Sequence, residues 1–218
     1  LMQKVSRSDF SNERFKWLSA QNINIGMAPC SAMRVNFVGE LGWELHHPVE
    51  YQNHIFDQLM EAGKEFGLKP YGIRAMNSLR VEKSYKLVGT ELSIEYSPYE
   101  SGLDRFVHPN KGDFIGRAAL DKWRAKGFSN KLVTMEIHGV TDADVLGNNP
   151  IYDNGSVVGR ATSGDFGFRL NKSIALGMVK PEFAEVGQKL KIDILGKMHE
   201  ASIVEESPYD ADNKLIRA

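Results

Sequence analysis

The sequence has almost no cysteine. Cys30 stands alone among 218 residues, which rules out an internal disulfide and leaves a reducing compartment as the default. It has no excess of either charge, with 27 basic against 28 acidic side chains, so bulk electrostatics recruit no nucleic acid. No apolar run reaches the length of a membrane span, and no signal peptide opens the chain. The histidines at 46, 47, 54, 108, 138 and 199 lack metal-ligand spacing, so no metal site is expected, and His46-His47 before Pro48 reads best as a solvated strand end. A dinucleotide fingerprint is also lacking. The glycine-rich stretches around Gly39 and Gly159 sit in strand-turn contexts that no helix follows, and a pyrophosphate needs that helix N-terminus.

What is present is concentrated in Val35-Asn36-Phe37-Val38-Gly39-Glu40-Leu41-Gly42-Trp43-Glu44-Leu45, where a carboxylate and two aromatics surround two glycines. Met33, Val35 and Phe37 alternate with Arg34 and Asn36, the period of a half-buried strand. A carboxylate just past such a turn can accept two parallel N–H bonds from a guanidine-like edge, as in a flat heterocycle. From composition alone the plainer reading stays open: a hairpin with Trp43 in the core and Glu44 on the surface.

The rest of the chain orders into two characters. Residues 7–32 predict a loop, a short strand at Ile23-Asn24-Ile25 and a turn at Gly26, with Met33 to Val38 pairing back as a hairpin arm. A helix is expected after Pro48, stopped by Gly67, and a second after Pro70 through Ile73, Met76 and Leu79 to Tyr85. Arg80, Glu82, Lys83 and Lys86 are read as its solvated face. Asp113 is the expected N-cap of a third helix ending at Gly127. From Lys131 onward, five or six short alternating segments separated by Asn148-Asn149-Pro150, Asp153-Asn154-Gly155 and Gly187 predict a small antiparallel barrel or sandwich. The expected organisation is therefore α+β, with residues 1–128 a partial α+β unit and 129–218 a barrel domain. The opening Leu1-Met2-Gln3-Lys4-Val5-Ser6 reads as the tail of an element already under way, so the chain is expected to be the C-terminal portion of something longer, with any targeting signal upstream.

As an ordered set, the 38–44 motif, Ser78-Leu79-Arg80-Val81-Glu82-Lys83, Gly89-Thr90-Glu91-Leu92, Ser97-Pro98-Tyr99-Glu100-Ser101-Gly102-Leu103, Asp113-Phe114-Ile115-Gly116-Arg117 and Gly159-Arg160-Ala161-Thr162-Ser163-Gly164 resemble the folate-binding aminomethyltransferase family, whose type member is the glycine cleavage T-protein. The likeness covers nearly the whole chain. Together with Ser207-Pro208-Tyr209-Asp210, it is greatest to the C-terminal part of dimethylglycine and sarcosine dehydrogenases or oxidases. The resemblance implies tetrahydrofolate as ligand, with Glu44 accepting from its pterin ring. It places Phe37 where the family usually has a pocket-lining tyrosine, Trp43 beneath the turn, and Arg105 where a folate-contacting tryptophan is expected. Met76-Asn77 likewise departs from the usual Arg-Asp. The family's catalytic aspartate would lie upstream, so no catalytic residue is assigned here, and Asp104 and Arg105 are read as a surface pair.

The implied function is capture, as methylenetetrahydrofolate, of the one-carbon unit that a flavin-dependent N-demethylation releases from a methylated glycine derivative. FAD would be held only by a flavin domain in the missing N-terminal part, and the compartment would be the bacterial cytoplasm or the mitochondrial matrix. Two alternatives stand beside this. One is a free-standing aminomethyltransferase. The other is a non-catalytic folate-binding scaffold like the iron–sulphur assembly factors, against which Asp113 in Lys111-Gly112-Asp113-Phe114 argues, because those carry cysteine there.

Overall fold

A computed structural model describes residues 1–140 and 142–218. The chain forms two compact units, one of Leu1–Met76 with Asp212–Ala218, the other of Asn77–Ala211.

The first unit is built on a three-stranded antiparallel sheet, β1 (Ala20–Ile25), β2 (Ala28–Met33) and β3 (Glu44–His46), in that order. Strand alternation sends Ile23, Ile25, Ala28, Cys30 and Ala32 into the core, where Phe15 is fully enclosed. A short helix α1 (Met2–Val5) and the longer α2 (Gln52–Gly63) cover that face, α2 through Ile55, Leu59 and Ala62. The chain leaves α2 by a 3₁₀ turn that ends on Gly67 at φ 66°, a left-handed stop that a side chain would strain. The expected turn at Gly26 is present, but the returning arm is Ala28–Met33 rather than Met33–Val38. The strand ends where Asn36 takes over the backbone donors, as described below.

Residues 212–218 return to this unit. Ile216 is buried, the Arg217 guanidinium lies 4.5 Å from the Trp17 ring centre, and the buried Arg34 clamps the segment. Its guanidinium donates to the Phe15 carbonyl at 2.6 Å and to the carbonyls of Arg217 and Ala218 at 3.2 and 3.1 Å.

Helix α3 (Ile73–Glu82) runs from the first unit into the second. Beyond it, α4 (Arg117–Lys126) ends as expected at Gly127, but Asp113 does not cap it. Gly116 occupies that position at φ 93° without a side-chain bond, and Ile115 just before it is fully exposed.

The remaining strands are β4 (Lys131–Ile137), β5 (Pro150–Asp153), β6 (Ser156–Gly167), β7 (Lys172–Val179), β8 (Lys189–Ile194) and β9 (Lys197–Val204). They close into an antiparallel barrel in the order β4-β7-β6-β5-β8-β9. Met135, Ile151, Ala161, Ala175, Ile192 and Ala201 fill its interior. The α+β class with a small closed barrel is what the sequence predicts. Two details differ: β5 starts at Pro150, which reads as turn, and β6 is a 12-residue strand, longer than the short segments expected, with a register shift between Ala161 and Ser163. A Cβ at Gly159 would sit 2.3 Å from the Met178 carbonyl oxygen, so this glycine serves strand contact within the barrel.

The expected division at residue 128 lies just ahead of the first barrel strand, whereas the compact units divide inside α3. The C-terminal half of that helix is bonded into the second unit.

Candidate functional site

The segment between β2 and β3 is organised by one side chain. Asn36 Oδ1 accepts from the backbone N–H of Val38 at 3.0 Å, Gly39 at 2.7 Å and Glu40 at 3.3 Å, while its Nδ2 donates to the Glu40 carbonyl. An Asn whose oxygen satisfies three successive amides replaces a sheet ladder, which is why the alternating 33–38 stretch is not a strand. Gly39 takes φ 76° within this loop. The signal was available in the sequence as an Asn followed three residues later by Gly, but alternation outweighed it.

The loop delivers Trp43 and Glu44 to opposite sides. Trp43 packs edge-on against Phe10 and Phe15, with centroids 5.4 and 6.1 Å away, and the Arg34 guanidinium lies 5.9 Å from its ring. Trp43 Nε1 and Arg34 Nε are buried without an acceptor among the described residues. Glu44 points outward, its side chain 48 % exposed, opposite Met33 and on the same face of β3 as His46, whose Nε2 lies 3.5 Å from its carboxylate. Beside it lies a groove of about 430 Å³ lined by Asn22, Ile23, Asn24, Pro29, Cys30, Ser31, His46 and Pro48. Phe37 is half-buried in the loop. Trp43 thus packs half-buried against the core, and the Glu44 carboxylate stands on the surface beside this groove.

Arg105 belongs to the second unit, in an exposed 3₁₀ turn Asp104–Phe106 with its guanidinium 4.8 Å over the Phe106 ring. Burial and Asp210 push the Tyr85 phenol above its ordinary value, and Arg105 draws it back down.

The second unit uses the other motif carboxylates differently, and it corrects the expected solvated face of α3. Arg80, Glu82 and Lys83 are buried, and Lys86 pairs with Glu206. Glu91 accepts from the Leu87 N–H at 2.8 Å, Ser163 Oγ at 2.5 Å and Arg80 at 3.4 Å. Burial pulls the Arg80 guanidinium below its usual value, while Glu91 and Asp165 oppose the shift. Asn77 bridges Arg80 to Asp165. Glu82 accepts from Arg169 and from the N–H groups of Arg169 and Leu170, and Lys83 donates to the carbonyls of Tyr209 and Asp210. Glu100 accepts from Ser97 N–H and Oγ, both at 2.9 Å, and from the amides of Ser129 and Asn130. These carboxylates tie α3 and its following loops to the barrel. Their partners lie up to 88 residues away, so no local pattern announces them.

No group of three or more His, Cys, Asp or Glu among the described residues is placed to hold a metal ion. No helix among them is long and apolar enough to cross a membrane.

A three-stranded sheet under helices is thus followed by a closed six-stranded barrel. The crystal structure of the glycine cleavage system aminomethyltransferase T from Bartonella henselae superposes with a TM-score of 0.76 at 23% identity, covering 84% of this chain and 50% of that one. Residues 1–111 match the GCVT N-terminal domain and residues 130–210 the glycine cleavage T-protein C-terminal barrel domain. The chain belongs to the glycine cleavage T-protein family. It is 39% identical over 207 residues to human mitochondrial dimethylglycine dehydrogenase, covering 94% of this chain and 24% of that protein. The mouse mitochondrial sarcosine dehydrogenase is 34% identical over 227 residues, again 24% of its length, with all of this chain covered. An aminomethyltransferase of Desulfitobacterium hafniense is 33% identical over 204 residues, covering 94% of this chain and 55% of that protein. The chain thus spans about a quarter of the dehydrogenases and about half of the aminomethyltransferases it matches.

Proposed function

We propose that this chain is the tetrahydrofolate-holding part of a longer flavin-dependent dehydrogenase of dimethylglycine or sarcosine. Bound tetrahydrofolate would supply the amine that takes up the one-carbon unit released by N-demethylation. The observation that carries the reading is the idleness of Glu44. The motif carboxylates Glu82, Glu91 and Glu100 are each buried and bonded to three or more protein donors, whereas Glu44 projects from a strand with one histidine nearby. A charged double acceptor left open at a site made precise by Asn36 suits the N–H edge of a pterin. Holding the folate at a fixed place would raise its effective concentration against the released carbon unit and limit loss to water.

Flavin does not fit the residues present. Gly159 is packed inside the barrel wall and Gly39 leads into a loop and strand, so neither can cradle a pyrophosphate at a helix N-terminus. Flavin and the amine substrate therefore belong, on this reading, to another part of the same longer chain. A free-standing aminomethyltransferase remains the second reading, favoured by the larger share of that protein's length that this chain spans.

The test is calorimetry with tetrahydrofolate on the complete protein and on its Glu44→Gln variant. The amide keeps one acceptor and misdirects a donor, so affinity should fall by about 1.5–3 kcal/mol. Unchanged affinity removes Glu44 from the site. The two readings separate on the full-length protein, where flavin absorbance with amine oxidation supports the dehydrogenase and their absence the aminomethyltransferase.

A further inference from the structure

On the outer wall of the barrel, outside the motifs discussed so far, two polar side chains converge on Ser202. Strand pairing places Ser202 of β9 opposite Glu136 of β4 on one side and Lys189 of β8 on the other. His138, one residue past the end of β4, brings Nε2 to 2.7 Å from Ser202 Oγ, and Lys189 Nζ lies 2.7 Å from the same oxygen. The other imidazole nitrogen, Nδ1, lies 3.8 Å from Glu136 Oε1, and Glu136 is in turn held by Lys172 at 2.7 Å.

The donor inventory gives this cluster a direction. A lysine ammonium only donates, so Lys189 occupies a lone pair of Oγ. In the neutral ring, a carboxylate facing Nδ1 favours the tautomer with the proton there, which leaves the Nε2 lone pair to accept from the Ser202 hydroxyl. A hydroxyl within hydrogen-bond reach of a base is the core of an activated nucleophile, and Glu136, 3.8 Å from Nδ1, acts on the ring through its charge rather than through a hydrogen bond. Ser202 is 8 % exposed as a residue, but the side chains covering it are His138 and Lys189, both at the surface.

We propose that Ser202 is a nucleophile that accepts an acyl group from small activated acyl donors, esters or thioesters. In the step, Oγ bonds to the acyl carbon and the bond from that carbon to the leaving alkoxide or thiolate breaks. The Oγ proton passes to His138 Nε2 and from there to the leaving group or solvent. The Lys189 ammonium beside Oγ supplies positive charge next to the oxygen on which negative charge would develop. The neighbouring amide of Ile203 is spent on the Gln188 carbonyl at 3.0 Å, and that of His138 on Glu200 at 2.8 Å, so neither is free to donate to that oxygen. The expected chemistry is therefore a single acylation rather than rapid turnover.

The experiment treats the purified 218-residue chain with p-nitrophenyl acetate, follows nitrophenolate release and maps the adduct by peptide mass spectrometry. One acetyl group on Ser202 is expected, absent in Ser202→Ala and formed about a hundredfold more slowly in His138→Gln, the usual weight of a general base. Because His138→Gln leaves Ser202 and Lys189 in place, it decides the matter even if Ser202→Ala does not fold, circular dichroism reporting the fold of each. Adducts on lysines alone, or a Ser202 adduct that forms as fast in His138→Gln, overturn the proposal.

Discussion

Glu91 and Glu44 are both glutamates of sequence motifs, and they do opposite work. Glu91 is enclosed and bonded to a hydroxyl, an amide and a guanidinium, and Glu44 stands on an exposed strand face with a histidine 3.5 Å away. The first is part of what makes the second unit fold, and the second is spared by folding. A recurring motif therefore does not mark a ligand by itself. The protein's own use of the side chain has to be subtracted first.

The widest gap between the two should appear in stability. Glu91→Ala strands the Arg80 guanidinium in a buried site and should cost about 3–5 kcal/mol in denaturant unfolding. Glu44→Gln should change stability by no more than about 0.5 kcal/mol, since it removes no buried contact. Equal losses in the two variants would erase the distinction. A middle case is Asn36→Ala, which frees three loop amides and should cost about 1–2 kcal/mol while weakening tetrahydrofolate binding as the strand bearing Glu44 loosens. Binding unchanged in that variant would detach the loop from the site.

The smallest effects probe the packing beneath the loop. Phe37→Tyr should be tolerated within about 0.5 kcal/mol, because a half-buried ring edge can leave its hydroxyl in water. A large loss of stability would show the ring sealed, with the oxygen unpaired. Cys30 supplies a pH signature for the core side of the same sheet. Burial pushes its thiol above the ordinary value, so the unfolded chain ionises first as pH rises. Its contribution is complete below the ordinary thiol range and is lost as pH climbs through the native value. A Cys30→Ala comparison should show the wild type losing stability faster above that range. Parallel curves would mean the thiol ionises freely.

The parts legible in the sequence were those governed by short-range periodicity and turn chemistry. The barrel strands, the Gly67 and Gly127 helix stops and the Gly26 turn fall in this class. The misread parts were decided by partners far along the chain or by one side chain overruling a period. Arg80, Glu82 and Lys83 look like a solvated face until Glu91, Arg169 and Asp210 are brought beside them. Met33 to Val38 alternates like a strand until Asn36 claims its amides. At Pro150 the residue that reads as a stop opens a strand, a position where a missing N–H is tolerated. Of the candidate site, the carboxylate and its strand could be anticipated, while the groove of Asn22, Asn24 and Ser31 could not, since it depends on the register of three strands.

The clamp that Arg34 closes on residues 217 and 218 also sets an order of events during synthesis. Leu1–Met76 leave the ribosome ahead of the second unit, yet the segment that completes their unit follows only after the whole of Asn77–Ala211. At ordinary elongation rates that is a wait on the order of ten seconds. Throughout it, the nascent first unit holds an arginine that has its Phe15 carbonyl partner but not yet those of Arg217 and Ala218, and the second unit has time to close its barrel first. Maturation of the sheet that carries Glu44 thus waits on residues made only after the second unit.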